Sequence, residues 1–128
     1  MSNVFSQLHP QLQSFIQERN WKPTPIQEAA LPELAEGKDR LLIAPTGSGK
    51  TLAAVLPLLH RCKVEEWDPL AILYITPLRA LNRDVDRRLA ELSEVLELRF
   101  GLRHGDTTTS ERSRQVRKPP HLLVTTPE

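Results

Sequence analysis

The stretch "LLIAPTGSGKTLAAVLPLL", Leu41 to Leu59, decides the fold. With Arg40 in front, "RLLIAP" reads as a buried strand. Gly47 and Gly49 follow within a short turn, and Lys50 stands where the turn becomes a helix. Apolar spacing carries that helix to about Leu59. Strand, glycine turn and helix together form the repeating unit of α/β domains built on a parallel sheet.

Residues 44–51, "APTGSGKT", match the pattern G-x-x-x-x-G-K-S/T, with Ala44 in place of the first glycine. Each residue type serves phosphate binding. Gly47 and Gly49 let backbone N–H groups turn inward without a Cβ clash. The following helix points its positive end at an anion. Lys50 supplies a point charge to the terminal phosphates, and Thr51 offers a hydroxyl to Mg²⁺. Thr46, Gly47, Ser48, Gly49, Lys50 and Thr51 are therefore the candidate nucleotide contacts, with Lys50 and Thr51 the candidate catalytic residues. The bland alternative is a glycine turn with an exposed lysine. The apolar strand before it and the amphipathic helix after it argue against that.

Working outward, Leu8, Leu12, Phe15 and Ile16 fall at helical spacing in a leading helix within residues 1–20. "WKPTPIQEAALPELAEG" then holds a second helix. Thr24 is its cap, Pro25 its first residue and Gln27 the partner three positions on. Gly37 ends it, and Pro32 should kink it or begin a new turn. Residues 63–69 read as polar loop. "LAILYIT" is a second strand. Thr76-Pro77 opens a long helix, Arg79 to about Leu96, with Leu81, Val85, Leu89, Leu92 and Leu96 on one stripe. "LRFGLRH" is a third strand, "ERSRQVRK" a short basic helix stopped by Pro119-Pro120, and "HLLVTT" a fourth strand. Runs such as "LLIA" and "AILYI" are apolar at successive positions, as in a parallel sheet covered by helices on both faces.

The chain has 128 residues and a net charge of +1, so bulk charge selects no partner. Locally the balance differs. Between positions 99 and 118 stand Arg99, Arg103, Arg112, Arg114, Arg117 and Lys118 against Asp106 and Glu111, a basic stretch fit to meet phosphates. The single cysteine, Cys62, allows no internal disulfide and no zinc pattern. His9, His60 and His121 have no ligand-spaced partners, so no metal site is expected from them. No apolar run approaches the ~20 residues that span a bilayer, and the N-terminus lacks a signal-peptide core. The expectation is a cytoplasmic chain with no membrane partner.

Several further segments carry a resemblance. "WKPTPIQ" resembles the Q motif of superfamily-two helicases, "APTGSGKT" their form of the Walker A cradle, "ITPLRAL" (Ile75 to Leu81) their motif Ia, and "TTPE" (Thr125 to Glu128) their motif Ib. "RHGDTTTSERSRQ" and "KPPHLLVTTPE" are similar to segments of the Lhr, or large helicase-related, group. The likeness runs from about Trp21 to Glu128. It implies a RecA-like ATP-binding domain, here the incomplete front of motor domain one, in an ATP-dependent helicase that tracks on single-stranded DNA or on RNA. It implies that Gln27 reads the adenine edge, although Gln27 also fits as the capping partner of Thr24. Thr76, Pro77, Arg79, Gly105, Thr125 and Thr126 would meet the nucleic-acid backbone. Trp21 or Phe5 could stack on adenine, with packing the simpler role for both.

The acidic motif that holds Mg²⁺ and the second RecA-like domain with its arginine finger are missing from these 128 residues. Such a finger alone is worth ~10³–10⁵ in rate, so negligible ATP hydrolysis is expected from this chain by itself. Two other readings remain: a non-hydrolysing nucleotide-binding module that switches an interaction, and an unrelated phosphate-cradle enzyme such as a small kinase.

Overall fold

The computed structural model describes residues 3–77, 80 and 82–127. The chain divides into two compact units, residues 1–66 and 67–128.

The first unit is helical. A 3-10 turn, Val4–Gln7, precedes α1, Pro10–Glu18, which begins with Pro10 behind His9. The His9 Nδ1 accepts the Gln11 N–H at 3.2 Å, so this histidine acts as a helix cap. The expected stripe is real: Leu8, Leu12, Phe15 and Ile16 are all buried. Phe5 is 1% exposed and is a core residue. Trp21 packs edge-to-face on Phe15, with centroids 5.7 Å apart, and the Arg19 guanidinium lies over the same ring. Next comes α2, Pro25–Ala35, ended by Gly37 at φ +89°. Pro32 does not break it. A proline here forgoes one bond to the Glu28 carbonyl, and Glu28 is exposed, where water can take that bond. The unit closes with α3, Lys50–Val64, packed on α2. It runs past the expected end at Leu59 because the apolar face continues through buried Cys62 and an Arg61–Glu65 pair closes its last turn.

"RLLIAP" is not a strand. Residues 40–45 have no ladder partner among the described residues, and Leu41 and Ile43 are 84% and 81% exposed. A strand exists only through hydrogen bonds to a neighbour, so apolar patterning alone could not make one.

Among the described residues the second unit holds a parallel sheet of three strands, the stretch at 40–45 being the fourth strand expected of the chain. They are β1, Ile72–Ile75; β2, Phe100–Arg103; and β3, Leu122–Thr125. Their order is β1-β3-β2. Helix α4, Arg83–Val95, connects β1 to β2 and packs on β2; α5, Thr109–Arg117, connects β2 to β3. The core combines Ile72, Leu122 and Val124 from the sheet with Leu89, Leu92 and Leu96. Leu73 and Ile75 are exposed, so β1 buries one face where its apolar run suggested two. Thr76-Pro77 do not open α4. Asn82 does, its Oδ1 accepting the N–H groups of Asp84 at 2.8 Å and Val85 at 3.3 Å. Arg79 and Leu81 lie outside the described residues.

Candidate nucleotide and nucleic-acid sites

Gly47 and Gly49 adopt φ +82° and +88°, in the left-handed region. A side chain at Gly47 would enter open space, so this position is glycine for its backbone angle alone. Gly49 needs more. A Cβ there would stand 2.5 Å from Gln27 Nε2 and 3.1 Å from Thr24 Oγ1. The start of α2 therefore presses directly on the loop that begins α3.

Gln27 makes that contact specific. Its Oε1 accepts the Thr24 N–H at 3.0 Å, and its Nε2 donates to the Gly49 carbonyl at 3.2 Å. The residue is 4% exposed. The capping box is present but uneven: Thr24 Oγ1 faces the helix start, yet it is buried and makes no hydrogen bond of normal geometry. The capping role expected of Gln27 thus falls on a side chain that also touches the loop before α3.

The loop is closed by Ser48 N–H on the Pro45 carbonyl at 3.2 Å. Lys50 Nζ reaches back across it to the Ala44 carbonyl at 2.6 Å. Ser48 Oγ is buried without a partner. Left-handed glycines, a helix start, a lysine folded over the loop and an unpaired hydroxyl are a donor set that suits a polyphosphate. Thr46 and Gly47 are exposed; Ser48, Gly49, Lys50 and Thr51 are half-buried.

In the second unit the sheet register collects the other candidates. Ile75 and Arg103 both pair with Thr125, so the three strands end level. Thr76 N–H donates to the Thr125 carbonyl at 3.0 Å, and Thr125 Oγ1 donates to the Arg103 carbonyl at 2.6 Å. Thr76-Pro77, His104-Gly105 and Thr126-Pro127 therefore leave the sheet at one carboxyl edge. Gly105 is exposed with open space where a Cβ would stand, whereas Thr126 is only 9% exposed.

Sequence reasoning missed what holds the Gly105 loop. Arg112 Nη2 donates to the His104 carbonyl at 2.6 Å and its Nε to the Thr107 carbonyl at 3.2 Å. Thr107 Oγ1 accepts the His104 N–H at 2.8 Å, and His104 Nδ1 accepts the Asp106 N–H at 3.1 Å. Arg112, read from the sequence only as part of a basic stretch, is a loop clamp. Its spacing, eight residues after His104, carried no signal of this. Asp86 on α4 faces the same loop. Burial pushes its carboxyl pKa up, and His104 partly opposes that. Among the described residues no helix is long and apolar enough to cross a membrane.

The profile of DEAD/DEAH box helicases matches residues 24–128. The chain belongs to the DEAD/DEAH box helicase family. Within it, the chain is 44% identical over 124 residues to ATP-dependent helicase Lhr-Core of Methanocaldococcus jannaschii, covering 82% of this chain and 14% of that protein. It superposes on the Mycobacterium smegmatis helicase Lhr bound to ssDNA and AMP-PNP with a TM-score of 0.81 and 33% identity, over 98% of this chain and 18% of that one. It also superposes on the RNA helicase Prp28 of Chaetomium thermophilum bound to ADP, with a TM-score of 0.80 and 29% identity, over 99% of this chain and 32% of that one. The fold is accordingly that of RecA-like helicase domains, with helices around a parallel sheet. The chain spans about a seventh of the length of the Lhr-Core relative.

Proposed function

We propose that residues 1–128 are the front part of the first RecA-like domain of an ATP-dependent, Lhr-like helicase that moves along a single strand of DNA or RNA. Residues 1–20 form its leading segment, and residues 21–128 carry the Q motif, Walker A and motifs Ia and Ib. The observation that carries the reading is the side chain of Gln27. It ties the start of α2 to Gly49 of the phosphate loop, so a nucleotide held by that loop has a rigidly mounted amide beside it.

In this reading Thr46, Gly47, Ser48 and Gly49 wrap the phosphates of ATP. Lys50 leaves the Ala44 carbonyl for the terminal phosphates, a charge-assisted contact stronger than the neutral one it replaces. The Thr51 hydroxyl holds Mg²⁺, which neutralises phosphate charge when bound. Gln27 selects adenine. Thr76, Pro77, Arg79, Gly105, Thr125 and Thr126 meet the nucleic-acid backbone. Contacts of this kind position a strand without reading its bases. A second RecA-like domain supplies the remaining catalytic groups, and the protein works in the cytoplasm. Similar solved proteins, one holding ssDNA and AMP-PNP and another ADP, support this assignment by likeness.

Calorimetric titration of Mg-ATP and Mg-GTP tests it. ATP should bind, GTP should not, and Lys50→Ala and Gln27→Ala should each abolish binding. A folded chain that binds neither nucleotide would overturn the reading.

A further inference from the structure

The basic stretch noticed in the sequence has a second destination, away from the carboxyl edge of the sheet. Arg99 precedes β2, and Lys118 to Pro120 precede β3, so these residues gather at the amino edge. There a cavity of about 360 Å³ opens between β2 and α5, lined by Arg99, Glu111, Arg114, Gln115, Lys118 and Pro120 among others. That volume lies within the range of small-ligand sites.

Its cations are not equivalent. Arg114 is committed to Glu111, Nη2 to Oε2 at 2.7 Å. Arg99 is anchored differently: its Nε donates to the Pro119 carbonyl at 3.0 Å, which fixes the guanidinium plane. No described residue takes a hydrogen bond from its two terminal nitrogens, and none pairs with Lys118 Nζ. A held guanidinium with an open fork is the arrangement that receives an oxyanion through two parallel bonds. In the wall stands Gln115, 8% exposed. Its Nε2 donates to the Leu102 carbonyl at 2.8 Å, which leaves Oε1 as a buried acceptor without a donor.

We propose that this cavity binds a phosphate monoester. Two uncommitted cations match the two charges of that group, whereas a carboxylate would leave one unpaired. Arg99 takes two phosphate oxygens, Lys118 adds the second charge, and a sugar hydroxyl beside the phosphate is the donor that Gln115 lacks. The group could belong to a free sugar phosphate or to the 5′ end of a nucleic-acid strand, since the chemistry is shared.

The test is an NMR titration of the ¹⁵N-labelled chain with inorganic phosphate, carried out on Lys50→Ala so that the loop at 44–51 does not report. Saturable shifts are expected at the Gln115 side-chain amide and the Gly101 N–H. Arg99→Gln and Lys118→Gln should each weaken binding about tenfold, the loss expected for one charge-assisted contact. Shifts that do not saturate, or that leave Gln115 and Gly101 unmoved in a chain with native dispersion, would overturn the proposal. If Arg99→Gln fails to fold, the exposed Lys118→Gln decides alone, and unchanged affinity there overturns it equally. Ribose 5-phosphate and a short oligonucleotide with and without its 5′-phosphate then separate the sources. Binding of both phosphorylated forms supports a general monoester site. Preference for the phosphorylated oligonucleotide assigns it to a strand end, and binding of the unphosphorylated strand at Gln115 counts against a phosphate site.

Discussion

Gln27 Nε2 lies 3.2 Å from the carbonyl oxygen of Gly49, and the same side chain holds the Thr24 N–H through its other end. One buried amide thus spans the cap of α2 and the first turn of α3. Only an amide satisfies both, because one contact needs an acceptor and the other a donor. Gln27→Glu keeps the acceptor and sets a carboxylate against a carbonyl oxygen. It should destabilise the chain at neutral pH by about 1–3 kcal/mol, the usual cost of an unsatisfied buried polar contact. Protonation should restore much of that. Chemical denaturation at two pH values checks this: equal losses at neutral and acid pH would show that the Gly49 contact carries no weight.

The Asn82 cap gives a second expectation. Asn82→Ala should cost about 1 kcal/mol, as for other lost helix caps. Thr76→Val should leave α4 intact, since the Thr76 contact recorded in the sheet is made by its backbone N–H. Thermal melts of the two variants rank them. A larger loss from Thr76→Val would return the helix start to Thr76-Pro77.

These two positions also mark what the sequence could and could not say. The glycine turn and the helix start at Lys50 were legible in the spacing, because left-handed φ angles at Gly47 and Gly49 and a helix start are local demands written in local residue types. The Thr24–Gln27 box was legible for the same reason. The strand expected at 40–45 did not form, because its apolar pattern states a preference that only a neighbour can satisfy, and none stands beside it among the described residues. The helix opening at Thr76-Pro77 competed with Asn82, and a side chain that accepts two N–H groups won. The Arg112 clamp was not legible because its partners are backbone carbonyls in a turn, which have no side-chain signature. The level carboxyl edge of the three strands depends on register, which spacing within one strand never encodes.

Arg112 clamps the turn carrying Gly105 through two carbonyls, those of His104 and Thr107. Arg112→Ala should release that turn while leaving β2 and β3 paired. Hydrogen exchange should accelerate at His104 and Thr107, whose N–H bonds close the turn, and stay slow at Gly101 and Val124. The expected cost is about 1.5–3 kcal/mol, the range for hydrogen bonds to charged groups. Uniform acceleration across the sheet would mean that Arg112 supports the whole unit rather than its loop. Exchange unchanged at His104 and Thr107 would remove the clamp altogether.

His60 sets a pH dependence in the helical unit. Its Nδ1 is buried with no hydrogen-bond partner, and burial holds its pKa below the ordinary 6.5, with His9 adding to the shift. The folded chain therefore favours the neutral ring. As pH falls below 6.5, the unfolded chain takes up the proton first, and folding loses stability progressively until the pH passes the depressed folded value. Above 6.5 both states are neutral and the effect is absent. His60→Gln removes the titration, so the difference in stability between the two chains should change between pH 7 and 5 and stay constant above pH 7. A difference that is flat through the whole range would mean that protonated His60 is accommodated in the fold, by rotation of the ring toward water or by a partner on α1.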